Sequence, residues 1–157
     1  TNNDVNNDQN NDTGNNDVNN DDNNGNTISG DCTDNDDNEP NNSPQEASAF
    51  GGAAQSDFMG LCAQDEDWFA VGAGQSGQTL LVIVEAIAIE GGNPTADIVV
   101  EAFDDQENLL AQATVVDGNL EVEHPLDADT EVLVKVQYAG ADGDGFIYDF
   151  DAVFVDP

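Results

Sequence analysis

The first thirty residues are close to one tetrapeptide written repeatedly. Asn-Asn-Asp-X begins at Asn2, Asn6 and Asn10, then, after an inserted Gly14, at Asn15 and Asn19, with a degenerate copy from Asn23. The apolar side chains of this stretch are Val5, Val18 and Ile28. Ordering a backbone costs ~1–2 kcal/mol per residue, and so little apolar surface cannot offset it. Residues 1–30 therefore read as a solvated arm, or as a segment that gains order from something outside itself. Any hydrophobic core must be built by the remainder of the chain.

Charge narrows the partners. The 157-residue chain carries 34 acidic side chains against one basic one, a formal charge of −33. That single cation is Lys135; there is no arginine, and His124 is the one histidine. Phosphate recognition relies on Lys and Arg, so nucleic acid is excluded as a partner class, and an anionic membrane surface with it. Calcium, which takes hard oxygen ligands, is the natural partner of such a surface. The alternative is that the charge serves solubility where salt screens self-repulsion.

No apolar run is long enough to span a membrane and no leader-like segment opens the chain, so a mature or trimmed protein without membrane insertion is expected. Cys32 and Cys62 make one possible disulfide. It is favoured over two free thiols in a secreted acidic protein. Its closure would contribute roughly 3–4 kcal/mol in the chain-entropy model. Two cysteines without a His or Cys cluster do not make a zinc site.

Composition divides the chain into an arm (1–30), an acidic bridge (31–45) and a globular part (46–157). Pro40 and Pro44 are read as ruling out helix in the bridge. A helical turn over Glu46 to Ala54 is weakened by Gly51-Gly52. Beyond that, short apolar runs separated by Gly, Asn and Asp read as strands. They cover Phe58 to Leu61, Trp68 to Val71, Thr79 to Ile89, Ile98 to Phe103, Leu109 to Val116, Leu120 to Glu123, Thr130 to Tyr138 and Phe146 to Phe154. The Thr79 run is apolar on both faces, the pattern of a central strand packed on two sides. Asp117-Gly118 is a hairpin turn signal. About eight such strands without a convincing amphipathic helix predict an antiparallel β-sandwich.

Oxygen donors concentrate in two places. One is the bridge from Asp31 to Ser43, and the other is Asp65-Glu66-Asp67, just ahead of Trp68-Phe69. Calcium takes roughly six to eight oxygens, often from two loops, and a Cys32–Cys62 bond would draw these two segments together. The bridge is not an EF-hand: counted from Asp34, Glu39 stands where that loop needs Gly and Gln45 where it needs Glu. A solvated acidic linker is the competing reading.

The order of motifs adds a resemblance. Asp37-Asn38-Glu39-Pro40-Asn41-Asn42-Ser43-Pro44-Gln45-Glu46-Ala47 followed by Leu61-Cys62-Ala63-Gln64-Asp65-Glu66-Asp67-Trp68-Phe69-Ala70-Val71 resembles the bacterial pre-peptidase C-terminal (PPC) domain family. That family opens on Glu-Pro-Asn-Asp/Asn-Ser and enters a strand through Gly-Asp-x-Asp-Tyr/Trp-Phe; Gln64 here replaces the usual Gly. The match covers about Asp34 to the C-terminus and none of the arm. It implies a jelly-roll-like β-sandwich from secreted bacterial proteins, appended to hydrolases and not itself catalytic. Some members bind calcium where the linker meets the sandwich. Carried over residue by residue, the implied ligands are Glu39, Asn41, Asn42, Asp65 and Asp67, with Asp37 in reserve.

Catalysis is not expected. His124 stands alone beside Pro125, and Gly74-Gln75-Ser76-Gly77 is a turn, not a nucleophile elbow. Among so many acids no carboxylate pair is informative. The leading expectation is a secreted, calcium-binding, self-assembling subunit of an extracellular fibre or surface layer. Its repeat arm, which could span ~100 Å when extended, would join neighbouring copies into an open filament. The alternative is a monomeric PPC-like binding or accessory module held off a bacterial cell surface by a spacer. Its ligand would be polysaccharide or another component of the extracellular matrix. Trp68 is expected in the core or at its edge.

Overall fold

The computed structural model describes residues 40–49, 53–62, 65–88, 93–140 and 145–157. Among these, ten strands form two five-stranded sheets. The first sheet runs, in spatial order, β1 (Ser48–Ala49), β3 (Glu66–Gly74), β9 (Thr130–Tyr138), β5 (Ile98–Asp104) and β6 (Leu109–Gln112). The second runs β2 (Ala53–Leu61), β10 (Phe146–Val155), β4 (Thr79–Ala88), β8 (Asn119–Pro125) and β7 (Thr114–Val116). Neighbours are antiparallel except β1 and β3, which are parallel.

Strict alternation builds the inner faces. Val132, Val134, Val136 and Tyr138 of β9 point inward, and Phe146, Tyr148, Phe150 and Ala152 of β10 face them. Phe69 stacks on Phe150 across the sandwich with ring centroids 4.4 Å apart, and Tyr138 meets Phe146 edge-on at 5.2 Å. Full burial of each such side chain stabilises the fold by ~1.5–3 kcal/mol, the main return against chain entropy. The Asp117-Gly118 turn joins β7 to β8 as read from the sequence. Its φ values of 51° and 97° are the left-handed pair that a tight hairpin needs.

Several expectations are corrected in detail. The run from Leu109 to Val116 is two strands, because the Ala113 N–H is taken by the Val100 carbonyl at 2.9 Å and the chain then passes to the other sheet. This division and the two-residue β1 raise the strand count above eight. The bridge does contain one 3-10 turn, Pro44–Glu46; proline is tolerated in a first helical turn, where its missing N–H has no partner to lose. Beyond Glu46 the chain enters β1, not a helical turn. A four-residue helix, α1 (Pro94–Asp97), follows the break at Asn93.

β4 is central in its sheet, but its two faces are not alike. Leu80, Val82 and Val84 are in the core, whereas Leu81 and Ile83 are half-buried on the outer face and Ile87 is 61% exposed there. A β-bulge in β3 between Ala70 and Gly72 bends its second half, and Gly72 takes a φ of 107°.

Candidate functional site

The start of β3 sets the geometry. Its register pairs Asp67 with Val136 and Phe69 with Val134, so these side chains enter the sandwich. Glu66 pairs with Gln137 and Trp68 with Lys135, so these stand on the outer face. Asp67 is therefore an acid aimed between two sheets, and it is fully buried. An unpaired carboxylate there would cost several kcal/mol, ~2–7 even for a neutral polar group. The hydroxyl of Tyr148, reaching over from β10, donates to Asp67 Oδ2 in a short hydrogen bond.

Asn41 is buried to the same extent. Its carbonyl accepts the Trp68 backbone N–H at 2.8 Å, which seats it against the peptide that follows Asp67. Seven residues on, β1 pairs Ser48 with Phe69 and Ala49 with Ala70 along the same edge. The segment before β1 is thus fastened to β3 rather than hanging from it.

Asp65 lies in the turn between β2 and β3. Its N–H donates to the Cys62 carbonyl at 3.0 Å, its carbonyl accepts the Tyr138 N–H at 3.3 Å, and its Oδ1 accepts the Glu66 N–H at 3.0 Å. Burial pushes the Asp65 carboxyl above its ordinary value; backbone hydrogen bonds at Cys62 and Glu66 pull the other way, and the Glu66 charge adds to the rise. Cys62 itself is half-buried just past β2, and Asn42 is exposed.

The outer face beside the site holds a second group. Glu66 accepts from Gln137 Nε2 at 3.0 Å and from Trp68 Nε1 at 3.3 Å. Trp68 packs on Phe103 at 5.2 Å, and Lys135 lies 5.8 Å from both ring centroids while bridging Glu101 at 2.9 Å. Gln45 Nε2 reaches Glu107 Oε1 at 3.1 Å, in the turn between β5 and β6. Trp68 is 7% exposed, yet it is buried on this outer face and stands apart from the core cluster.

Of the sequence-derived ligand set, Asn41 and Asp67 are brought together and buried, Asp65 lies two residues before Asp67, and Asn42 points to solvent. Asp37, Glu39 and Cys32 lie outside the described residues, as does the repeat arm. Among the described residues no three His, Cys, Asp or Glu side chains converge as a metal group. The donors present, a carboxylate and an amide-bearing residue, have the hard-oxygen chemistry that calcium takes. Tyr148 is the participant that sequence reading missed. The available signal was a tyrosine on an inward face otherwise made of Phe and Ala, since a buried phenol must find a polar partner.

No family model matches the chain, and no curated protein matches it. Solved structures similar to it include two small β-rich domains. One is PliG of Aeromonas hydrophila, a periplasmic inhibitor of g-type lysozyme, with a TM-score of 0.49 at 14% identity, covering 69% of this chain and 96% of that one. The other is the pre-peptidase C-terminal domain of a collagenase from Bacillus anthracis, with a TM-score of 0.45 at 18% identity, covering 73% of this chain and 99% of that one. The resemblance to the latter is distant and at the level of fold.

Proposed function

We propose that this chain is a non-catalytic β-sandwich module of a secreted protein, with a calcium site where its N-terminal segment joins β3. One observation carries the reading. Asn41 and Asp67 are both fully buried, and the Asn41 carbonyl accepts the N–H of Trp68, the residue after Asp67. A buried acid and a buried asparagine, adjoined in sequence by further oxygen donors, suit a hard divalent cation.

In this reading Asp67 and Asn41 are the fixed donors, Asp65 contributes from the adjoining turn, and Asp37, Glu39 and Asn42 complete the set. Bound calcium would supply two positive charges against the buried carboxylate. Tyr148 orients Asp67 by holding one of its oxygens. Trp68 holds the Asn41 carbonyl through its backbone N–H and keeps the docked segment in register with β3. A Cys32–Cys62 disulfide belongs to the same proposal. These are the two cysteines of the chain. Cys62 directly follows β2, ahead of Asp65.

Calorimetric titration of the full chain with calcium, after treatment with EDTA, tests the site. The expected result is saturable binding with a rise in Tm, about 2.7 kcal/mol of added stability at a hundredfold excess over Kd. Asp67→Asn should abolish both. No heat of binding, together with an unchanged Tm in EDTA, overturns the proposal. A second reading is carried by the repeat arm: head-to-tail assembly of copies through residues 1–30, bridged by calcium. Light scattering in calcium and in EDTA tests it, and a monodisperse monomer in both refutes it.

A further inference from the structure

The two outer faces of the sandwich are finished differently. On the first sheet the outer side chains meet partners from within the chain: Trp68 lies on Phe103, Lys135 on Glu101, and the turn at Gln45 reaches across to Glu107. On the second sheet the outer face of β4 and β10 carries exposed aliphatic side chains. Ile87 is 61% exposed, Val155 45% and Val153 36%.

Strand register arranges this face in bands. Val153 sits beside Leu81 at one end, and Ile147 beside Ile87 at the other. Between them Glu85 pairs with Asp149, and Asp151 pairs with Ile83, which pairs in turn with Glu121 on β8. Two apolar pairs therefore flank an acidic band. The Glu85–Asp149 row sets two like charges directly opposite each other, an arrangement that in itself disfavours strand pairing. Exposed aliphatic pairs add a second feature that a protein surface normally avoids concentrating.

We propose that this face docks a cationic protein surface, with Lys or Arg side chains across the Glu85–Asp149 band and aliphatic side chains on the two flanking pairs. The inference goes beyond the cation site and does not rest on it. Charge complementarity chooses the occupant. The chain has no arginine, and its lysine is engaged on the opposite sheet. A second copy would therefore bring acid against acid. Residues 1–39 hold eleven acids and no base, so they do not complement the face either. Anionic lipid and nucleic acid are repelled by the same band.

The test uses the full chain and a short synthetic peptide alternating lysine and leucine, with oligolysine of equal length as reference, at about 0.15 M salt. The alternating peptide should bind about tenfold tighter than oligolysine. Its amide shift changes should concentrate on β4 and β10. Ile87→Ser/Val153→Ser should cancel the difference between the peptides, and Glu85→Gln/Asp149→Asn should weaken both. Asp105→Asn/Asp117→Asn removes as many charges elsewhere and should leave binding unchanged. Equal affinity for the two peptides, or shifts spread over all acidic residues, overturns the proposal as general charge attraction. Dimers by ultracentrifugation that Ile87→Ser dissolves would give the face to a second copy, and adsorption to phosphatidylglycerol vesicles would give it to a membrane. Either result also overturns it.

Discussion

Replacing Tyr148 with phenylalanine removes one oxygen atom and leaves the aromatic ring in place. The ring is fully buried, and its hydroxyl donates to the equally buried Asp67. No cavity opens, so the cost is that of the hydrogen bond alone. A hydrogen bond to a charged group contributes ~1.5–3 kcal/mol, and the carboxylate left behind keeps its desolvation penalty. At roughly 4 °C per kcal/mol for a domain of this size, Tm should fall by about 6–12 °C. Urea denaturation in EDTA measures this without interference from bound cations. The m-value should not change, since the surface exposed on unfolding is the same. Asp67→Asn and the double variant complete a thermodynamic cycle, and the coupling energy should exceed ~1 kcal/mol. A Tyr148→Phe protein within ~0.5 kcal/mol of the parent, or a coupling near zero, would show that the phenol does not stabilise the buried acid, and the account of how Asp67 is accommodated would fail.

Burial raises the Asp65 carboxyl above its unfolded value, so the folded state holds the proton more tightly. Its contribution then falls as pH rises from the unfolded value through the folded one; Asp65→Asn in EDTA should flatten that decline and be the more stable protein at neutral pH, as denaturation across pH would reveal. Asp104 shifts the opposite way, held low by the Asn108 side chain and backbone with help from the Gln106 N–H. Asn108→Ala should move its carboxyl resonance titration upward, and the stability it lends above the unfolded value, lost as pH falls through the folded one, should shrink with it. A Cβ on Gly74 would lie 2.2 Å from Leu126 Cδ1 and 2.6 Å from Phe154 Cε1. Gly74→Ala should therefore cost ~1–3 kcal/mol by overpacking, read from the same denaturation curves.

The parts of the fold that were legible are those governed by alternation. β9 and β10 each place every second residue in the core, and a period of two needs no tertiary information. The Asp117-Gly118 hairpin was legible because few residue pairs accept two positive φ values. Ala113 was not, since Leu109 to Val116 is a single apolar run and the crossing between sheets is decided by a hydrogen bond to Val100, distant in sequence. The two sides of β4 misled for a related reason. Aliphatic residues on both faces ordinarily mean burial on both, but here the outer set is only half-buried, and Ile87 is exposed. At the site, motif order singled out Asn41 and Asp67, and burial of both is what the fold adds. Counting parity from Phe69 would also have sent Trp68 outward. What the sequence could not supply was its packing on Phe103 of β5, under Lys135.

Lys135 has a practical consequence of another kind. It is the one residue in the chain after which trypsin can cut, it sits mid-strand in β9 between β3 and β5, and its ammonium is clamped to Glu101. A protease needs an extended, accessible segment, and here that segment is released only when the first sheet comes apart. Digestion should thus proceed in a single step to two fragments, at a rate set by how often the whole domain opens. The protein carries its own clock for global unfolding, readable on a gel without any label.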